Sequence, residues 1–166
     1  ENLSVQRQVH EAVLMVAAAL TLEQLLEVIS GDLARLFNVD VVRLAVESHA
    51  VDDFEANFGE QNYSGIVLIL PGLVDMLVQT KKQVVLVEDM EKVSIPSFED
   101  IFADCPDMVQ SCALLRLDLP SVERAALLAF GVRSPGRFNP QQGIDLLLFL
   151  AQLLALKLDK FLLDNI

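Results

Sequence analysis

The segment 144–162 is apolar around most of a helical circumference, and this constrains the fold more than any other feature of the chain. One apolar stripe, at three- and four-residue spacing, contains Ile144, Leu147, Leu148, Ala151, Leu154, Ala155, Leu158 and Leu162. A second set fills much of the remaining circumference and contains Leu146, Phe149, Leu150, Leu153 and Leu156. Because such a helix must be covered on more than one side, we expect a β-sheet on one side and a second subunit on another.

The second subunit is predicted to be a copy of the same chain. In this homodimer the first and last helices of both copies pack into a bundle. Full burial by the N-terminal helices of a single chain is the alternative. The predicted interface residues are Val9, Val13, Leu150, Leu153 and Leu154.

Helical periodicity begins near the N-terminus, where two consecutive amphipathic helices are predicted. The first extends from Val5 to Leu20. Thr21 and Gln24 form a capping-box pattern that starts the second helix, and Asn38 is suited to end it in a left-handed conformation.

Five segments have the composition of strands: 41–48, 66–70, 84–87, 110–119 and 124–133. A short helix is predicted with Pro71 in its first turn, and the last helix from Gln141 to about Leu163, capped by Asn139. The connection 88–109 follows neither the helical nor the strand periodicity of apolar residues. Since strands and helices do not alternate regularly, we expect an α+β fold with an antiparallel sheet and helices on one face.

Charge and cysteine usage exclude several classes of protein. Twelve Lys and Arg oppose 24 Asp and Glu, and a net charge of −12 repels polyphosphate and anionic lipid, so no direct nucleic-acid partner is expected. The uncharged run Leu146–Leu156 would span only about 17 Å as a helix, which is too short for a membrane. Cys105 and Cys112 lack zinc-ligand spacing and predict a reduced, cytoplasmic protein.

The segment 84–110 carries seven acidic residues against the single Lys92. Such a cluster is able to bind a divalent cation, but the spacing that wraps calcium is missing. We therefore expect a solvated acidic loop and no metal site.

Two longer segments carry a family resemblance. Residues 21–37, TLEQLLEVISGDLARLF, resemble the opening helix of a GAF domain, and residues 134–153, SPGRFNPQQGIDLLLFLAQL, resemble its closing turn and helix. More narrowly, the helix around Val9, the strand 42–44 and the junction 137–147 resemble the bacterial DUF484 family, whose members are GAF-like and largely uncharacterised. The likeness extends over essentially the whole chain.

The resemblance implies a fold and a domain organisation. It implies an antiparallel sheet of five to six strands, with the N- and C-terminal helices on one face and a loop and helix lid on the other. Residues 21–166 would form the GAF-like domain and residues 1–20 an N-terminal helix. Because the chain begins at Glu1 and helical patterning is already present by Val5, we expect further helical residues upstream.

The resemblance also implies a class of function. GAF domains resemble PAS domains in enclosing a small-molecule pocket; some bind cyclic nucleotides, tetrapyrroles, haem or metabolites, and many only dimerise. The residue set of the cyclic-nucleotide class is not found. The Cys-His pair of the bilin class is replaced by Cys105-Pro106, so no cofactor is expected.

A ligand pocket is predicted on the sheet face opposite the terminal helices. Its candidate residues are Arg43, Arg116, Phe98, Phe102 and Cys112. Two guanidinium groups beside aromatic side chains would suit a small carboxylate or phosphate. In the alternative, each arginine pairs with an internal acid such as Glu47 or Asp118.

Three functions follow from these observations. The first is a non-catalytic sensory or regulatory module that is homodimeric and binds a small, anionic metabolite. The second is a ligand-free scaffold for dimerisation or for an unknown protein partner, in which the domain's own side chains fill the pocket. The third, an enzyme, is disfavoured because no G-x-S-x-G, P-loop or H-E-x-x-H motif is present, and we assign no catalytic residue.

Overall fold

The computed structural model describes residues 2–48, 66–92, 101–102, 108–138 and 145–164. Its α-helices are α1 (Asn2–Ala18), α2 (Leu22–Glu27), α3 (Leu33–Leu36), α4 (Leu73–Leu77) and α5 (Asp145–Asp164). A π-helical segment, Val28–Asp32, joins α2 to α3. The strands are β1 (Val41–Glu47), β2 (Ile66–Ile69), β3 (Val84–Val87), β4 (Ser111–Leu119) and β5 (Arg124–Val132). Short 3₁₀ turns occupy Met90–Lys92 and Pro120–Val122.

Local sequence signals place the boundaries of the first helices. The hydroxyl of Thr21 accepts a hydrogen bond from the Gln24 amide at 3.2 Å, and the Gln24 side chain accepts one from the Leu20 amide at 2.8 Å. Asn38 has a φ of 53°, which confirms the left-handed end of this helical region. Pro71 lies just outside α4, because the helix starts at Leu73 after Gly72, whose φ of 90° needs glycine.

The five strands form one sheet in the order β2-β1-β5-β4-β3. The pairs β1–β5, β5–β4 and β4–β3 are antiparallel, but β1 and β2 are parallel, with Leu44 opposite Ile66. The prediction of a fully antiparallel sheet was therefore wrong at this pair. The connection between the two strands, residues 48–65, exceeds the dozen or so residues that a crossover to a parallel neighbour requires. The fold is α+β with a mixed sheet.

One face of the sheet is covered by helices α1, α2, α3 and α5. The helix α5 lies against β4, and α1 packs against α5. Alternate strand residues such as Val42, Leu44 and Leu115 point into this core, where they meet Leu150 and Leu154 of α5. The predicted position of the terminal helices on one face is confirmed.

The opposite face is covered by α4 and by Ile101 and Phe102. Both of these side chains are fully buried, and they pack with strand residues including Cys112 and Ala129. The lid predicted there stays a prediction, because Phe98 and the rest of residues 93–100 lie outside the described residues.

Candidate functional site

Arg116 is the most constrained charged residue of the sheet. It lies on β4 with only 8% of its surface exposed. Its Nη1 donates to Asp75 Oδ1 at 2.5 Å and to the Val78 carbonyl at 2.9 Å, and its Nε donates to Asp118 Oδ1 at 2.9 Å. Because Asp75 belongs to α4 and Val78 is the C-terminal cap of that helix, this guanidinium ties α4 to the sheet.

The acids around Arg116 keep it charged. Burial of the guanidinium lowers its pKa, but the hydrogen bonds to Asp75 and Asp118 raise it, and the net direction is upward. The predicted alternative, in which Arg116 pairs with Asp118, is confirmed. The contact with Asp75 was missed, because a helix 41 residues away in the chain supplies it and no local pattern indicates it.

Arg43 does not converge with Arg116. Register places Arg43 opposite Ala129 and Arg116 opposite Leu127, so the two arginines are two strands and two residues apart, roughly 12 Å between Cα atoms. The Nη1 of Arg43 donates to the Val42 carbonyl at 3.2 Å. Glu47, the acid predicted to pair with Arg43, accepts a bond from the Gly72 amide at 2.6 Å, and its Oε2 is buried with no hydrogen-bond partner among the described residues.

The other predicted pocket residues belong to the packed core where the structure describes them. Phe102 and Cys112 are both fully buried. The Cys112 thiol lies 3.7 Å from the Met90 sulfur, and burial raises its pKa from 9.0 to about 12, so the thiol stays protonated at neutral pH. Phe98 lies outside the described residues.

In the part of the chain that the structure describes, two grooves lie near the β3 edge of the sheet. The first, about 560 Å³, lies between the end of β4 and α5, and its lining includes Arg116, Asp118, Gln152 and Asp159. The second, about 580 Å³, runs along β3 and includes Val85, Leu86 and Gly136. The first groove brings one predicted residue, Arg116, next to the C-terminal helix.

The predicted interface residues have different environments. Val9, Leu150 and Leu154 are buried within the single chain, whereas Val13 and Leu153 are half-buried. The exposed apolar surface of α5 is formed instead by Leu146, Phe149, Leu156 and Leu163, which are 37%, 55%, 71% and 48% exposed. In the sequence, Phe149 and Leu156 belong to the second apolar set of this helix, which lies outside its main apolar stripe.

Two classes of site are absent from the described ranges. Among these residues, no group of three or more His, Cys, Asp and Glu side chains is placed to bind a metal ion. None of the helices in the same ranges combines the length and apolarity that crossing a lipid bilayer requires.

Comparison with known proteins identifies the family. The family model described as "Protein of unknown function, DUF484" matches residues 1–163, so the chain belongs to the DUF484 family. A comparison with curated proteins finds no match. The wider likeness to GAF domains stays a prediction.

Proposed function

We propose that this member of the DUF484 family is a non-catalytic regulatory module that works as a homodimer, joined through the solvent-facing side of α5. The observation that carries the proposal is the row of exposed apolar side chains on that helix. Phe149 and Leu156 have more than half of their surface in water, although their helix also contributes Leu150 and Leu154 to the core. Large apolar side chains that line up on one exposed face are typical of protein interfaces.

The face of the sheet opposite α5 is covered by α4 and by Ile101 and Phe102. The side chains of Leu73, Val74 and Phe102 are buried against β4 and β5 there. This packing supports a module that acts through its surface, in which the sheet serves as the support for α5. The expected partner is a second copy of the chain, and an unknown protein partner is the alternative occupant of the same face.

Light scattering after size exclusion tests the proposal. The wild-type chain should elute at twice its 18.3 kDa mass at tens of micromolar concentration. Leu156→Glu places a charge on the exposed face and should weaken association at least 100-fold, which gives a monomer. The matched control is Met76→Glu, since Met76 is 66% exposed on α4 at the other side of the sheet, and it should remain dimeric. A monomeric wild type, or a Leu156→Glu variant as dimeric as the control, would contradict the proposal.

The groove beside Arg116 favours a second candidate function, the binding of a small anion. Among the described residues, the Nη2 of Arg116 makes no hydrogen bond, and the residue lines the 560 Å³ groove together with Gln83, Gln152, Asp118 and Asp159. A guanidinium nitrogen suits a carboxylate or phosphate, although the two aspartates of the groove weaken its attraction for an anion.

A groove-filling variant separates binding from folding. Gln152→Trp should block the groove without touching the bonds that Arg116 makes to Asp75 and Asp118. Titration calorimetry with inorganic phosphate and with succinate should detect binding to the wild type and at least a tenfold loss in this variant. Absence of heat for both anions at millimolar concentration, or equal affinity in the variant, would reject this second function.

A further inference from the structure

The solvent-facing side of α5 has the spacing of a coiled-coil seam. The residues of this outer seam are Leu146, Phe149, Leu153, Leu156, Lys160 and Leu163, separated by alternating steps of three and four. All are exposed except Leu153, which is half-buried. This is the spacing with which two helices pack side chains between each other along their length.

Lys160 is the only charged residue of the outer seam. It makes no hydrogen bond or ion pair with any residue of the described ranges. In a two-fold pair of parallel helices each seam residue faces its own copy, so Lys160 would face Lys160 of the partner subunit. Two ammonium groups would then meet inside an apolar contact, which is unfavourable.

An antiparallel pair removes this repulsion. The spacing of the outer seam is symmetric about its midpoint. In an antiparallel pair Leu146 therefore faces the partner's Leu163, and Leu153 faces the partner's Leu156. Lys160 then faces the partner's Phe149. An ammonium over an aromatic ring is attracted by the electrons of the ring, and this chain contains such a contact already, with Lys157 Nζ at 5.2 Å from the centre of the Phe161 ring.

We propose that two copies of this chain associate through the outer seam with their α5 helices antiparallel, and that Lys160 and Phe149 select this orientation. The inference rests on the proposed homodimer and adds its geometry. Two Lys160–Phe149 contacts form, one on each side of the two-fold axis. The pairing of Lys160 with the aromatic ring of Phe149 sets the orientation of the helices, whereas the four leucines of the outer seam supply the buried apolar area.

Disulfide cross-linking distinguishes the two orientations. Leu146→Cys and Leu163→Cys are made separately in a Cys105→Ser background, and Cys112 is kept because it is fully buried. In antiparallel helices the two copies of residue 163 are about 26 Å apart, so neither variant alone should cross-link. A mixture of the two should form the mixed 146–163 disulfide at least ten times faster than either homodisulfide. A fast 163–163 disulfide overturns the orientation while the homodimer stands, and a monomeric wild type overturns both.

Removing the charge of Lys160 should change the affinity of the dimer in opposite directions for the two orientations. Lys160→Gln removes two cation–ring contacts from an antiparallel pair and should weaken association about 5-fold to 30-fold. The same change would relieve repulsion in a parallel pair and tighten it. Lys160→Arg is the matched control, since it keeps the cation, and its dissociation constant should stay within about twofold of the wild type. A tighter Lys160→Gln dimer in analytical ultracentrifugation would overturn the proposal.

Discussion

The two sides of the sheet are covered in different ways. On one side, four helices including the 20-residue α5 bury a broad apolar core against the strands. On the other, the five-residue helix α4 and the pair Ile101 and Phe102 cover the strands in a thinner layer. In the layer formed by these four helices, α5 also has large apolar side chains that are exposed to solvent.

The difference shows how a short helix is held in place. Five residues are far too few for a helix to be stable in water, so α4 depends on its tertiary contacts. The Arg116 guanidinium supplies one of them, because it binds the Val78 carbonyl at the C-terminal end of α4, where a positive charge is favourable. The layer of four helices is held on the sheet by apolar burial. The thinner layer that contains α4 is held by apolar burial together with the hydrogen bonds of the charged Arg116.

The largest expected effect concerns the helix layer. Leu154→Ala should lower the free energy of unfolding by about 2–5 kcal/mol, because Leu154 is fully buried and its truncation leaves a cavity. Leu20→Ala, at a side chain 78% exposed, should change it by less than about 0.5 kcal/mol. Urea denaturation measures both. Equal effects would mean that α5 does not form the core of this layer.

Close packing in the thin layer is tested at Gly131. A Cβ there would lie 2.7 Å from Val41 Cγ1 and 2.8 Å from Val109 Cγ2, so Gly131→Ala should cost about 1–3 kcal/mol. In the layer of four helices, a Cβ added at Gly31 would have no neighbouring atom within 4 Å. Gly31→Ala should therefore leave the free energy of unfolding unchanged or raise it by up to about 1 kcal/mol. Urea midpoints that shift in the same direction would show that the two layers do not differ in free space.

The contribution of charge to the thin layer is tested at Arg116. Arg116→Met should lower the free energy of unfolding by about 2 kcal/mol, mainly because the Val78 carbonyl loses its partner, while the exposed carboxylates of Asp75 and Asp118 are resolvated. The control Arg35→Met removes the surface pair with Asp32 and should cost under about 0.5 kcal/mol. If thermal unfolding shows no difference between the two variants, Arg116 does not hold α4.

The smallest expected effect is a pH dependence from Cys112. Its folded pKa of about 12 lies above the ordinary 9.0, so the folded state holds the proton between these values and the unfolded state loses it. The stability from this group is complete below pH 9 and falls as pH rises, by about 1.4 kcal/mol at pH 10. The difference in unfolding free energy between wild type and Cys112→Ala should shrink by that amount from pH 8 to pH 10. A constant difference would show that the thiol is accessible to water.

Much of the fold could be predicted because its signals are local. The cap at Thr21, the left-handed residue Asn38 and the largely apolar composition of β4 are signals that lie within a few residues of the structure they specify. The candidate site was less predictable. Arg116 was identified as a charged residue in an apolar strand that needs a partner, but Asp75 is brought to it only by the packing of α4.

The amino-acid sequence by itself determined the helices, the strands and the excess of apolar surface on α5, since periodicity and capping depend on neighbours in the chain. Only the tertiary structure decided that β2 lies parallel to β1, that Arg116 binds α4, and which side of α5 faces solvent. Strand pairing and burial join segments that are distant in the chain, and their free energies depend on contacts that no local pattern contains.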